Sequence, residues 1–506
     1  MTANAQKPQR RRFAWGAVAA LLLLVSAIGF SAPAAFAEGS DAQAAEAQRY
    51  FQIFENVYQF ILQNYVDEVE AKKLYEGAMK GMFESLGDPY SVFLDEAMMS
   101  DMNDTTEGKF GGIGLYISKQ AVDPKAGEDA PRYIEIVSPI EDTPGWRAGF
   151  KPGDLIVKIE GESTAPLSTD EAQGKLRGQA GKDITVTIRR GSAEFDITVT
   201  RAVIEIPTVK YALIPTKAGN AAYLRIIEFT PQTLPRVQEA IKSFDAAGYS
   251  SVVVDVRSNP GGLLDSVVRI ADLFLDGGTI VSTKGRNPLE NSVRRAKPDL
   301  AVPKDKPMVL LLNRGSASAS EILAGALKDQ KRAYLVGENS YGKGSVQVPY
   351  PIDGTGFKLT LARYYTPSDE NIDKTGIPPD LVAVEPELSE AETDALVRLF
   401  ESGEIGAFAK QKPQAGQAER EAFAKSLAAK GYALPERILR RLVRDEFQKT
   451  SLAPVYDLEY DTALQAALAA LADPAFPKRL SEALSVKELV EAKKAEEAKK
   501  AEAAKK

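Results

Sequence analysis

The chain has 506 residues, of which 44% are hydrophobic and 26% are charged, a composition typical of a folded protein with several domains. The formal net charge of −7 disfavours nucleic acid as the main partner, because phosphate binding requires a basic surface. The sequence contains neither Cys nor His, which excludes disulfides, thiol nucleophiles, His-ligated zinc and Ser-His-Asp triads. An activated nucleophile would therefore need Lys or a carboxylate as its base.

The first 37 residues have the pattern of an export signal. A basic segment ending in Arg10-Arg11-Arg12 precedes an apolar run from Phe13 to Phe30. Ala35-Phe36-Ala37 then forms a small-x-small cleavage site. The alternative is an uncleaved membrane anchor, although the run is at the short limit of about 17 residues for a span. In both cases the rest of the chain crosses a membrane, so we expect a periplasmic location, with membrane association if the signal stays uncleaved.

Residues 38–100 are predicted to form a helical domain. Apolar residues recur at helical spacing between Phe51 and Ile61 and again between Leu74 and Met82. We expect these helices to pack against other parts of the protein or to associate with a second copy.

Residues 101–203 change to short β-like runs separated by Gly and Pro, the pattern of a small β domain. Its predicted strands are Ile113–Ile117, Tyr133–Val137, Leu155–Ile159 and Ile184–Ile188.

Residues 204–386 alternate between predicted strands and helices, which indicates an α/β core. Residues 387–490 are predicted to be helical again. The tail, residues 491–506, contains only Glu, Ala and Lys and is predicted to be a solvated helix or a frayed end without a function. The predicted core elements are the strands Ala222–Ile227, Ser251–Val256, Met308–Leu312 and Ala333–Val336 and the helices Leu234–Ala247, Leu263–Leu275 and Glu321–Lys328.

A run of small residues, Gly315-Ser316-Ala317-Ser318-Ala319-Ser320-Glu321, lies between the predicted strand Met308–Leu312 and the next helix. Such a turn lets a substrate approach the backbone closely and points helix-terminal N–H groups at it. A serine hydroxyl in this turn would face an incoming carbonyl, with N–H donors for the developing oxyanion. The alternative is structural, because Ser318-x-x-Glu321 is also a capping box.

Lys343 lies between two glycines in a second segment, Gly342-Lys343-Gly344. The residues from Gly337 onward fit much of a nucleotide P-loop, but Gly344 stands where a Mg²⁺-binding Ser or Thr is required and Ser345–Pro349 continues as a strand. We therefore reject a nucleotide site. At its usual pKa of about 10.4 Lys343 would not act as a base, whereas burial lowers the pKa and gives a neutral amine. The alternative is an ordinary surface lysine.

The third segment, Asn259-Pro260-Gly261-Gly262, is either a site lined by backbone donors or an ordinary strand–helix turn. In this order the three segments closely resemble the motifs of the carboxyl-terminal processing peptidases, also called tail-specific proteases, which are serine proteases with a Ser/Lys dyad. The resemblance runs from about Leu74 to Asp380 and includes Gly376-Ile377-Pro378-Pro379-Asp380. It implies a multidomain α/β protein with a helical arm, a PDZ domain, a protease core of the crotonase or Clp-protease type, and a C-terminal helical region.

The resemblance also implies roles for individual residues. Ser318 matches the nucleophile, Lys343 the general base, and Gln347 the polar residue that orients the lysine. No metal or organic cofactor is implied, and a Ser/Lys pair needs no His. The backbone N–H groups that match the oxyanion hole are those of Ala319 and of either Gly261 or Gly262.

Phe110-Gly111-Gly112-Ile113-Gly114-Leu115 resembles the carboxylate-binding loop of a PDZ domain. In that loop, backbone N–H groups hold the terminal carboxylate of a peptide that adds as a β-strand. A plain hairpin turn is the alternative reading of its glycines. Arg177 matches an arginine that, in related enzymes, helps to switch the protease on when a tail is bound. The peptide-binding residues implied by the resemblance are Gly111, Gly112, Ile113 and Gly114.

The sequence therefore predicts an exported serine endopeptidase that captures apolar, unstructured C-termini and cleaves peptide bonds through an acyl-enzyme. Two other classes stay open: a catalytically silent PDZ chaperone or scaffold, and a crotonase-like acyl-CoA enzyme, which the export signal disfavours. We expect protein or peptide substrates, no nucleic acid, and a homo-oligomer. The sequence leaves open which substrates are physiological, whether a lipoprotein adaptor delivers them, and whether the PDZ domain inhibits the resting enzyme.

Overall fold

The computed structural model describes residues 41–96, 98–99, 109–120, 131–205, 208–448 and 454–504. The predicted export signal, residues 1–37, lies outside them. Two compact units divide the chain at Gly77. The first unit contains helix α1 (Asp41–Asn64), and helix α2 (Ala71–Glu84) begins in it. No helix within the described ranges is long and apolar enough to cross a membrane.

A small β domain lies in residues 109–205. Its main sheet has the order β3-β4-β5-β7-β8 with antiparallel neighbours, and β6 is added to β5. Strand β3 is therefore at an edge of this sheet. Helix α4 packs against β3 and β5, and β2 pairs with β9 in a separate ribbon. The elements are β2 (Lys109–Gly112), β3 (Leu115–Lys119), β4 (Ile134–Pro139), α3 (Pro144–Ala148), β5 (Leu155–Ile159), β6 (Glu162–Ser163), α4 (Thr169–Leu176), β7 (Asp183–Arg190), β8 (Ala193–Thr200) and β9 (Ala202–Glu205).

The α/β core is built on a six-stranded sheet with the order β10-β11-β12-β15-β16-β19. All of its strand pairs are parallel except β10 with β11. Its central strands are buried on both faces, which explains their continuous apolar sequences. The elements of this layer are β10 (Val209–Thr216), β11 (Gly219–Ile226), α5 (Thr233–Ala247), β12 (Ser251–Asp255), α6 (Leu264–Asp272), β15 (Met308–Leu312), α7 (Ala319–Asp329), β16 (Tyr334–Gly337) and β19 (Leu381–Val382).

Helices cover both faces of this sheet. Alternate side chains of β12 point to opposite faces, so Val254 packs among α5, α6 and α7, whereas Val253 packs against helices from the C-terminal region. The C-terminal helices α8 to α11 enclose a separate apolar core. Helix α14 covers part of the predicted tail, so that the tail is helical up to Ala504. The C-terminal elements are α8 (Glu390–Ser402), α9 (Glu404–Gln411), α10 (Gln417–Ala429), α11 (Glu436–Gln448), α12 (Thr462–Ala472), α13 (Phe476–Glu482) and α14 (Val486–Ala504).

A second, antiparallel sheet has the order β1-β18-β13-β14, with β17 also paired to β18. Strand β1 (Val92–Leu94) falls within residues 38–100, which we expected to be helical, and it pairs with Lys358, Phe357 and Gly356 of β18. Residues from Ala78 onward belong to the second unit. The remaining strands are β13 (Thr279–Gly285), β14 (Ser292–Arg295), β17 (Ser345–Ile352) and β18 (Thr355–Tyr365).

Candidate active site

Ser318 lies at the turn between β15 and α7, where the sequence places the nucleophile. Its backbone has φ 53° and ψ −113°, a conformation that non-glycine residues rarely adopt and that persists only when the surroundings enforce it. Asn259 helps to hold this conformation, because its carbonyl oxygen accepts hydrogen bonds from Ala317 N–H at 3.0 Å and from Ser320 Oγ at 2.9 Å, on either side of Ser318. Glu321 N–H, the group that a capping hydroxyl would bind, donates instead to Ser318 O at 2.9 Å, so the Ser318 hydroxyl has no hydrogen bond among the described residues. It is therefore available for chemistry.

The two glycines of the Asn259–Gly262 turn have different roles. Gly261 N–H donates to Asn259 Oδ1 at 2.9 Å, so it is already used. Phe229 N–H donates to Gly261 O at 2.8 Å, and Leu263 N–H donates to Phe229 O at 2.7 Å. In this parallel bridge the N–H of Gly262 points away from Phe229. Among the described hydrogen bonds none is donated by Gly262 N–H. The structure thus favours Gly262 over Gly261 as an oxyanion donor.

Neither glycine of this turn has room for a side chain. A Cβ atom on Gly261 would lie 2.7 Å from Ser318 Cβ and 3.0 Å from Ala319 N. The second predicted donor, Ala319 N–H, stands at the first position of α7, where an N–H group has no partner within the helix. The turn therefore packs directly against the nucleophile, as a backbone donor to an oxyanion must.

Glu321 connects the nucleophile to the lysine, although the sequence suggested only a capping role for it. Its carboxylate is completely buried and accepts four hydrogen bonds. Oε2 accepts from Ser318 N–H at 2.9 Å and from Lys343 N–H at 2.8 Å. Oε1 accepts from Gly342 N–H at 2.7 Å and from Ser340 Oγ at 2.5 Å. Because one oxygen bonds the backbones of both Ser318 and Lys343, it holds the two candidate catalytic residues close together.

Lys343 is half-buried, and its amine has an unusual environment. Burial lowers the pKa of Lys343 to about 8, and the nearby positive charge of Lys358 acts in the same direction. Glu321 and Asp88 oppose this shift. The amine lies 4.7 Å from the centroid of the Tyr90 ring. No hydrogen bond among the described residues joins it to the Ser318 hydroxyl. The lowered pKa, together with a backbone bonded to the same carboxylate oxygen as that of Ser318, makes Lys343 a candidate general base.

The Gly376–Asp380 segment stabilises the loop that carries Lys343. Ser340 N–H donates to Ile377 O at 3.1 Å, and Ile377 N–H donates to Ser340 Oγ at 2.6 Å. Asp380 pairs with the buried Lys328 in the last turn of α7 and accepts from Leu335 N–H at 2.8 Å. This segment therefore positions both the loop before Lys343 and the helix after Ser318.

Gln347 does not contact the lysine through any described hydrogen bond. Its side-chain amide donates to Ser345 Oγ at 2.9 Å and to Thr360 Oγ1 at 3.1 Å. It follows Lys343 on β17, so it lies in the same part of the fold. Its predicted role in orienting Lys343 stays a prediction.

The predicted peptide-binding loop lies at one end of an apolar groove between β3 and α4. Gly112, Ile113, Gly114 and Arg177 line this groove. No described hydrogen bond uses the N–H groups of Ile113 or Gly114, so they are available to a terminal carboxylate. The apolar lining consists of Ile113, Leu115, Ile117, Ile140 and Leu176.

Gly111, the fourth predicted residue of this loop, is placed differently. It lies in β2, and its carbonyl accepts from Gly178 N–H at 3.1 Å. A side chain on Gly111 would overlap the carbonyl oxygen of Gly178. Gly111 thus supports the loop through close backbone packing instead of lining the groove.

The small β domain contacts the α/β core next to the candidate active site. Ser138 Oγ donates to Ser258 O at 2.6 Å, next to the Asn259–Gly262 turn. Glu141 forms an ion pair with Arg225 at 3.1 Å. Sequence reasoning gave no signal for these contacts, because the residues of each pair lie far apart in the chain.

Comparisons with known proteins agree with this architecture. Residues 220–383 match peptidase family S41, residues 135–190 match the PDZ domain, and residues 26–98 match the N-terminal domain of the activating protease CtpB. The carboxy-terminal-processing protease of Bartonella bacilliformis is 41% identical over 344 residues, which are 66% of this chain and 75% of that protein. The chain belongs to the carboxy-terminal processing proteases of peptidase family S41.

Other relatives of this carboxy-terminal processing protease support the same assignment. The carboxy-terminal processing protease CtpA of Bacillus subtilis is 32% identical over 393 residues, covering 76% of this chain and 81% of that protein. The structure of the photosystem II D1 C-terminal processing protease is similar with a TM-score of 0.55 and 28% identity, over 65% of this chain and 92% of that chain. The expected family, the fold class with its PDZ domain and S41 core, and the class of serine-type peptidase are thereby confirmed.

Proposed function

We propose that this protease is exported, captures apolar C-terminal tails in its PDZ groove, and hydrolyses peptide bonds with Ser318 and Lys343. The observation that carries the proposal is the joint anchoring of both residues on Glu321, whose own N–H donates to the Ser318 carbonyl oxygen and not to the Ser318 hydroxyl. The lowered pKa of Lys343, about 8, supports its role as the base.

In the proposed acylation step, neutral Lys343 accepts the proton of the Ser318 hydroxyl while Ser318 Oγ bonds to the peptide carbonyl carbon. The carbonyl π electrons move to the oxygen, and the N–H groups of Gly262 and Ala319 stabilise the oxyanion. When the oxyanion collapses, the C–N bond breaks and the lysine ammonium gives its proton to the leaving amine. Lys343, now neutral again, then accepts a proton from water while the water oxygen bonds to the ester carbonyl carbon. The bond between that carbon and Ser318 Oγ breaks, and the lysine ammonium returns the proton to Ser318 Oγ.

Groove geometry supports the choice of substrate. Strand β3 is at the edge of its sheet, so an extended peptide can add to it by main-chain hydrogen bonds. The free N–H groups of Ile113 and Gly114 suit the terminal carboxylate, and the lining of isoleucine and leucine side chains suits an apolar last residue. We therefore expect recognition to require both a free carboxylate and an apolar end.

The direct test compares an unstructured peptide that ends in apolar residues with the same peptide amidated at its C-terminus. We expect the full-length protein to cleave the free-acid peptide at least about 10-fold more efficiently, because amidation removes the charged acceptor of the loop N–H groups. Ser318→Ala should bind the free-acid peptide with unchanged affinity and leave it intact. If wild type and Ser318→Ala both bind the peptide without cutting it, the protein is a PDZ scaffold and the proposed protease function is wrong.

We also propose that α1 associates with a second copy of the chain. Phe51 and Phe60 on this helix are each 67% exposed, and Phe54 is 46% exposed. Exposed aromatic faces of this kind mark interaction surfaces. The double variant Phe51→Glu and Phe60→Glu should sediment as a smaller species than wild type at equal concentration, whereas Gln52→Glu on the same helix should not. A wild type that sediments as a monomer would contradict the proposal.

A further inference from the structure

Tyr90 belongs to none of the sequence motifs quoted above, but its side chain forms one wall of the lysine site. Lys343 Nζ lies 4.7 Å from the centroid of its ring. An aromatic face attracts a cation within about 6 Å of the centroid, because the ring carries partial negative charge on its face. The charged groups that face Lys343 from other elements are Lys358 of β18 and Glu321 of α7, and Asp88 faces it from the turn that contains Tyr90.

The turn that carries Tyr90 is fastened to the second sheet. Tyr90 N–H donates to Asp88 Oδ1 at 3.1 Å, and Ser91 Oγ donates to Asp88 Oδ2 at 2.6 Å. Ser91 Oγ also accepts from Thr360 N–H of β18 at 3.0 Å. These bonds hold the backbone of Tyr90 in place beside β18.

The far end of the ring is held as well. The Tyr90 hydroxyl interacts with the hydroxyls of Tyr341 and of Ser118 on β3, and the negative groups that face it are Asp373 and Glu321. Tyr341 N–H donates to Ser316 O at 3.0 Å, which ties this tyrosine to the nucleophile turn. The hydroxyl end of the ring thus contacts a residue that is bonded to the turn carrying Ser318.

We propose that Tyr90 is a positioning residue for Lys343, whose ring face stabilises the positive charge that the lysine acquires when it takes the proton of Ser318. The inference rests on the proposed Ser/Lys mechanism. During acylation the Ser318 O–H bond breaks, its electron pair forms the bond to the carbonyl carbon, and the proton converts the amine to an ammonium ion. The same ammonium later donates to the leaving amine, so the ring acts at both steps.

This role has a specific signature in the pH dependence. At low pH Lys343 is charged both in the free enzyme and in the transition state, so stabilisation of the charge cancels between them. At high pH the lysine is neutral in the free enzyme and charged only in the transition state, so the ring accelerates the reaction. Removing the ring should therefore lower the rate only at high pH and move the acid limb to lower pH.

The experiment measures kcat/KM of the full-length protein from pH 6 to 9.5 for wild type and Tyr90→Leu. We expect the high-pH plateau of Tyr90→Leu to fall about 3- to 10-fold and the midpoint of its acid limb to fall by about 0.5–1 pH unit, with rates at pH 6 unchanged. A loss of rate by the same factor at every pH, with an unchanged midpoint, would show a merely structural role and overturn the inference.

Two further variants separate charge stabilisation from packing. Tyr90→Phe keeps the ring and should keep the wild-type midpoint. Tyr90→3,4,5-trifluorophenylalanine keeps the ring shape but removes the negative charge from its face, so its pH profile should match that of Tyr90→Leu. If the leucine variant does not fold, this variant alone tests whether the ring stabilises the charge of Lys343. A fluorinated variant with the wild-type profile overturns the inference. Failure of the proposed function looks different, because the wild type would then show no acid limb near pH 8.

Discussion

Lys343→Arg is expected to lower kcat/KM for peptide hydrolysis by about 10²–10⁴-fold, the contribution typical of a general base. Arginine keeps the positive charge and much of the side-chain length but stays protonated throughout the accessible pH range, so it cannot accept the proton of Ser318. The measurement is peptide cleavage by the purified full-length protein. Lys304→Arg, which changes an exposed lysine paired with Asp276, is the matched control and should keep wild-type activity.

The lowered pKa of Lys343 predicts how the activity of the wild type depends on pH. Because the pKa of Lys343 is lowered to about 8, the ammonium predominates below pH 8 and the neutral amine above it. Activity should therefore rise with pH through a midpoint near 8, with about a tenth of the lysine neutral at pH 7. A flat profile between pH 6 and 9.5, or cleavage by Lys343→Arg at the wild-type rate, would contradict the assignment of Lys343 as the base.

Glu321→Ala is expected to cause the second large effect, because it removes the acceptor of four hydrogen bonds at once. The donors left behind are the N–H groups of Ser318, Gly342 and Lys343 and the hydroxyl of Ser340. A buried donor without a partner costs about 1–3 kcal/mol, so we expect the free energy of unfolding to fall by at least about 2 kcal/mol. We also expect kcat/KM to fall at least about 10²-fold, since a small misplacement of catalytic groups has effects of this size.

Glu321→Gln distinguishes hydrogen bonding from size. The glutamine amide preserves the volume but replaces one acceptor oxygen with an NH₂ donor, which faces at least one backbone N–H donor in either orientation of the amide. We expect this variant to stay folded at 25 °C with strongly reduced activity. Glu338→Ala removes a carboxylate that is paired with Arg314 near the surface and serves as the control. Wild-type kcat/KM in a folded Glu321→Ala protein would show that Glu321 is not required to position the site.

The pKa of Glu321 also shapes the acid limb. Burial raises this pKa to about 7 in spite of the four hydrogen bonds. Protonation converts one acceptor into a donor, so activity below pH 7 should fall more steeply than protonation of Lys343 alone allows. Since the pKa is raised above that of an exposed carboxyl, the folded state binds this proton more tightly than the unfolded state. The stabilising effect of that proton is complete at low pH and is lost as the pH rises towards 7.

Local patterns were sufficient for most of the elements that carry the motifs. Met308–Leu312 was predicted with its observed bounds, and the helices after the Ser318 and Gly262 turns begin within two residues of their predicted starts. Ser345–Ile352 is a strand, as the rejection of a P-loop required. By contrast, β1 was missed because it has only three residues, and its strand character comes from pairing with β18, more than 260 positions later.

The amino-acid sequence by itself determined which chemical groups are present. It has no Cys and no His, but it has a serine at a strand–helix turn, a lysine between two glycines and a separate glycine-containing turn. Tertiary structure alone decided how these groups are arranged and what surrounds them. Folding removes water from around the Lys343 amine and brings Lys358 near it, and both effects lower its pKa. Folding also places one carboxylate, that of Glu321, on the backbones of both Ser318 and Lys343. Desolvation and hydrogen bonding depend on what surrounds an atom in space, and residues distant in the chain supply those surroundings.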